Sequence, residues 1–129
     1  MDVDLFAGVA VSDLKRAVIW FNRFLGDAQS FEPNDTERVW TVSNHRYVYV
    51  ELRPEHAGHA MVTLFVDDFD AFTGAAAQRG IHPEIRETYG NGVRKAIYRD
   101  PDRNEVGVGG APAEGFEATD TGEPAVDSN

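Results

Sequence analysis

The stretch FAGVAVSDLKRAVIWFNRFLG, Phe6–Gly26, reads as a strand, a two-residue Ser-Asp hinge and one amphipathic helix. Residues Asp4–Val11 alternate, with Leu5, Ala7, Val9 and Val11 on one face and Phe6, Gly8 and Ala10 on the other. Ser12 is placed to cap the helix, and Asp13 puts a negative charge where the helix dipole favours one. Leu14, Val18, Phe21 and Leu25 recur at helical spacing, Ala17, Trp20 and Phe24 widen the stripe, and Gly26 supplies the stop.

The same plan returns in Met61–Gly80, MVTLFVDDFDAFTGAAAQRG: a strand, an Asp67-Asp68 hinge, and a helix carrying Phe69, Phe72 and Ala76 on one face. Aligned on the hinge, Val9–Leu14 matches Leu64–Phe69 at an offset of 55 residues. Strands follow each helix. Ala28–Pro33, Arg38–Val42 and Arg46–Arg53 come after the first; Ile81–Thr88, Arg94–Asp100 and Asn104–Val108 come after the second. With Asn44-His45 as a two-residue turn, Trp40 lies opposite Tyr49 and Arg38 opposite Glu51. Strand, helix, three strands, done twice around a Pro54–Gly58 linker, implies a pseudo-symmetric α+β pair in one domain. The modules span about 3–54 and 58–110.

Composition narrows the function classes. A chain of 129 residues makes one domain, and no apolar run is long enough for a membrane span. The formal charge of −10 argues against nucleic acid, whose phosphates it would repel. Cysteine is absent, which removes disulfides, thiolate metal sites and cysteine nucleophiles. The expected compartment is the cytoplasm, with no membrane contact. Residues 111–129 hold five acidic residues, no basic ones and almost no large apolar groups, and are expected to form an acidic disordered tail.

The segments VSDLKRAVIWFNRFLG, VDDFDAFTGAAAQRG and YRDPDRNEVGV resemble the vicinal oxygen chelate superfamily, which includes glyoxalase I, extradiol dioxygenases and the fosfomycin- and bleomycin-resistance proteins. The resemblance implies two βαβββ modules forming one cupped, mostly antiparallel eight-stranded sheet with helices outside. It places Arg103 where a glycine is usual. In the metal-dependent members four inward-facing side chains hold a divalent cation. The matching positions here are Phe6, Glu51, Met61 and Gly107, of which only Glu51 is a hard donor. No metal and no cofactor is therefore expected.

Strand alternation then lines the cup with Phe6, Trp40, Tyr47, Tyr49, Glu51, Met61, Phe65 and Tyr98. Rings for stacking and small residues for volume suit an aromatic or amphipathic small-molecule ligand. The same rings are also large enough to close on one another as core. The family most similar in function is the drug-sequestering bleomycin-resistance type, which implies a homodimer. The alternative is a lyase, isomerase or dioxygenase, either metal-dependent with displaced ligands or metal-free with Glu51 as base. No other catalytic residue stands out.

Overall fold

Asp13 and Asp68 start the two helices in the same way. In the computed structural model, which describes residues 1–117 and 125–127, the Asp13 carboxylate accepts the Arg16 amide at 3.0 Å and caps α1 (Leu14–Leu25). Asp68 accepts the Ala71 amide at 3.0 Å and caps α2 (Phe69–Gln78). Each cap satisfies a first-turn amide that the helix itself leaves unpaired. The cap thus sits on the second hinge residue, not on Ser12 as expected. Ser12 turns instead to Asp102, giving that carboxylate both its amide and its hydroxyl.

The architecture is α+β and repeats one module. The first holds β1 (Leu5–Val11), α1, β2 (Gln29–Asn34), β3 (Glu37–Ser43) and β4 (Arg46–Leu52). The second holds β5 (Met61–Val66), α2, β6 (Ile85–Thr88), β7 (Arg94–Arg99) and β8 (Glu105–Gly110). The strands are hydrogen-bonded as two sheets, β1-β4-β3-β2 and β5-β8-β7-β6 with β9 (Ala125–Asp127) beyond β6, rather than as one ladder of eight. In each sheet the first strand runs parallel to the last of its module, and the module's other strand pairs are antiparallel. Of the expected tail, residues 118–124 and 128–129 lie outside the described residues, and β9 (Ala125–Asp127) runs antiparallel to β6. No helix among the described residues is long and apolar enough to cross a membrane.

One extra residue in β3 changes which side chains face where. The Asn44-His45 turn forms as expected, with Ser43 opposite Arg46 and His45 at φ 63°. The next pair, however, is Thr41 with Tyr47, so Val42 is a bulge and every earlier residue of β3 moves by one. Trp40 consequently lies opposite Val48, and it is Val39 that lies opposite Tyr49. A one-residue shift turns a strand over. Trp40 therefore enters the core against Phe21, at 5.5 Å between ring centroids, and its Nε1 donates to Asn22 Oδ1 at 2.9 Å. Arg38 likewise leaves Glu51 and pairs with Glu32 at 2.9 Å.

The helix-covered faces of both sheets share one core. Phe24 of α1 stands 5.3 Å from Phe72 of α2 and 5.0 Å from Tyr98 of β7. Tyr98 was expected in the cup. It lies opposite Val106 on the helix side instead and is fully buried. Its hydroxyl has no hydrogen-bond partner among the described residues, and burial pushes its pKa up.

Asn104 ties the modules together. Its Nδ2 donates to the Ala10 carbonyl (3.0 Å) and to Asp100 Oδ2 (2.8 Å). Its Oδ1 accepts the Ala60 amide (2.9 Å), and its own amide donates to Asp100 Oδ1 (2.8 Å). Arg103, one residue earlier, adopts φ 71°, a left-handed conformation that favours glycine. Burial raises the Asp100 carboxyl above its ordinary range, and the two Asn104 donors partly offset this. A carboxyl so raised costs stability at neutral pH, and the cost fades as the pH falls through its native pKa. Asn104→Ala should lower stability by about 3 kcal/mol, since it strands half-buried groups at Ala10 and Ala60 and the buried Asp100 carboxylate. The loss of a side-chain donor should also raise the Asp100 titration further. Chemical denaturation should show the variant's deficit shrinking on acidification, and a deficit that grows on acidification would contradict this.

Candidate functional site

Two cross-strand rows build the open face of the first module. Gly8, Tyr49, Val39 and Phe31 stand side by side on β1, β4, β3 and β2. Ala10, Glu51, Glu37 and Asn34 form the next row. The absence of a side chain at Gly8 matters, because a Cβ there would stand 2.7 Å from the Tyr49 hydroxyl. Tyr49 therefore lies across Gly8 and meets the edge of Phe6, at 6.4 Å between centroids. Phe6 stacks on Tyr47 at 4.3 Å.

Phe6, Phe31, Pro33, Glu37, Val39 and Tyr49 enclose a groove of about 360 Å³. Phe6 and Phe31 each remain 49% exposed, so the rings have not closed on one another. Glu51 sits on the same face, 3.3 Å from Arg53. Phe31, Pro33, Glu37 and Val39 are absent from the sequence-based lining. Val39 and Glu37 were missed because the bulge had not been foreseen. Phe31 was already legible as part of a strand, and alternation from it would have placed it here once β3 was in register.

The open face of the second module is built on glycine. Phe65 lies against Gly109, where a Cβ would be 3.1 Å from its ring, and Lys95 crosses Gly107 in the same manner. Arg99 and Glu105 are cross-strand partners 3.5 Å apart. Met61 and Phe65 are 76% and 67% exposed. A larger cleft of about 1040 Å³ runs between the modules, lined by Leu5, Ala7 and Tyr47 on one side and by Leu64, Phe65 and Phe72 on the other.

The expected lining residues thus fall into four places. Phe6 and Tyr49 line the groove, with Glu51 on the same face. Tyr47 and Phe65 line the larger cleft, Met61 projects outward at the start of β5, and Trp40 and Tyr98 are core. The four positions matched to metal ligands divide between the modules, with Phe6 and Glu51 on β1 and β4 and Met61 and Gly107 on β5 and β8. A phenyl ring, a thioether and a glycine offer a divalent ion no hard donor. Among the described residues no three of His, Cys, Asp and Glu are grouped to hold an ion.

No family model matches the chain, and no curated protein matches it. Solved structures do. The chain is similar to a glyoxalase / bleomycin resistance protein from Catenulispora acidiphila, at 48% identity over 86% of this chain and 100% of that one, with a TM-score of 0.83. A lactoylglutathione lyase from Agrobacterium tumefaciens shares the fold at 19% identity, covering 87% of this chain and 96% of that one, with a TM-score of 0.67. A fosfomycin resistance protein from Listeria monocytogenes shares it at 12% identity, covering 88% and 97%, with a TM-score of 0.66.

Gly8→Ala should displace the Tyr49 ring at little cost to the fold, since the clash is with the free end of a side chain. A stability change of about 1 kcal/mol or less is expected, with altered ring-current shifts at Phe6 in the NMR spectrum. A loss above about 3 kcal/mol would show that Tyr49 is instead held rigidly in place.

Proposed function

The chain belongs to the glyoxalase / bleomycin resistance protein family, and we propose that it is a metal-independent, cytoplasmic binder of small aromatic or amphipathic molecules that works as a homodimer. The groove on the first module carries this function: two phenylalanines and a tyrosine line about 360 Å³ without filling it. A groove walled by rings, with carboxylates at one end, orients a ligand and excludes water from it. The donor chemistry at Phe6, Met61 and Gly107 supports binding without a metal. Arg53 stands 3.3 Å from Glu51 and engages the carboxylate that the enzyme alternative would need as its base.

The outer strands of the two sheets support the homodimer reading. β1 and β5 are the outer strands of their sheets, and both border the larger cleft. Leu5 and Phe65, which line it, are 64% and 67% exposed, and Met61 at the start of β5 is 76% exposed. Exposed apolar residues gathered beside free strand edges favour association.

Titration with benzyl alcohol, followed by NMR, should give saturable binding that chelator treatment leaves unchanged. Tyr49→Ala should weaken it about tenfold, the loss expected for one stacking face. Binding abolished by the chelator would contradict a metal-independent site. Sedimentation equilibrium should give a mass twice the 14.3 kDa of the chain, and Phe65→Asp should shift it toward monomer. A native chain that sediments as a monomer would contradict the homodimer.

A further inference from the structure

The groove has a charged end that its apolar lining does not explain. Glu37 and Glu51 are direct cross-strand partners, on the face that carries Tyr49 and Val39. Side chains so placed stand about 5 Å apart at Cβ, and like charges there repel. Arg53 reaches Glu51, at 3.3 Å, and no second acid among the described residues. Glu37 receives only a neutral hydrogen bond, from Asn34 Nδ2 at 3.0 Å, and has no ion-pair partner among the described residues. The nearest cation in sequence, Arg38, points to the other face and is engaged by Glu32 and Ser30.

The open face of the second module is different. There Glu105 faces Arg99 and Glu87 faces Lys95 across neighbouring strands, so each carboxylate has an opposite charge in register. Among the described cross-strand pairs of the two open faces, only Glu37 and Glu51 set like charges opposite each other. Exposed faces of Phe6, Phe31 and Tyr49 add the negative side of an aromatic quadrupole to the same space.

With the groove taken as a small-molecule site, as proposed above, we propose that its occupant is an organic cation. A protonated or quaternary amine would sit between Glu37 and Glu51, and the apolar or aromatic body attached to it would lie against Phe6, Phe31 and Tyr49. The cation relieves the repulsion between the carboxylates and gains cation–π attraction from the rings. Neither gain is open to a neutral or anionic ligand of the same shape.

Three probes with a common ring test this on the full chain by NMR titration: benzyltrimethylammonium, benzyl alcohol and benzoate. The cation should bind about tenfold more tightly than the alcohol, and benzoate more weakly than either, with shifts at Phe6, Phe31 and Tyr49. Glu37→Gln should cost the cation most of that advantage, bringing its affinity down toward that of the alcohol. The same substitution removes a repulsion, so its melting temperature should be no lower than that of the native chain. Equal binding of cation and alcohol, or an unchanged cation affinity in Glu37→Gln, would overturn the cation assignment and leave the groove standing. Failure of all three probes to bind would overturn both.

Discussion

The bulge at Val42 governs the molecule's division into core and site. With Val42 unpaired, Trp40 turns inward to Phe21 and Asn22, and Val39 and Glu37 turn outward beside Tyr49 and Glu51. A large indole gains far more from burial than a valine does, which favours this register over the regular one. The hydrogen bond from Trp40 Nε1 to Asn22 Oδ1 removes the penalty for burying the ring nitrogen and fixes the strand to the helix. Without the bulge the tryptophan would fill the groove, and the carboxylate pair would not exist.

The second half of the chain reuses the plan with different chemistry. Both helices begin on an aspartate cap 55 residues apart, and both sheets place a glycine under an aromatic ring on the open face. Asn104 joins the two by satisfying Ala10 in one module and Ala60 in the other. Aromatic and acidic side chains dominate the first open face, and paired charges over glycine occupy the second. A scaffold common to many chemistries is here differentiated through its strand faces and not its topology.

Much of the fold was legible because its signals are local. The apolar stripe of Leu14, Phe21 and Leu25, the hinge repeated 55 residues on, and the Asn44-His45 turn each follow from short-range rules. The faces of β3 and β7 were not legible in this way. A bulge depends on what the helix offers across the core, here Phe21 and Asn22, which no alternation within Arg38–Val42 encodes. Tyr98 reads equally well on either face of Arg94–Asp100, and its place was decided by Phe24, which reaches it from α1. Of the expected lining, Phe6, Tyr49 and Glu51 share one face because β1 and β4 are regular and paired from end to end. The rest of that wall comes from β2 and β3, beyond the bulge.

Hydrogen exchange at the Trp40 indole tests this arrangement most directly. The bulged register predicts a slowly exchanging Nε1 proton, with nuclear Overhauser contacts from the indole to Asn22 and Phe21. Fast exchange, with contacts from the indole to Tyr49 and Phe6, would place Trp40 in the groove and contradict it.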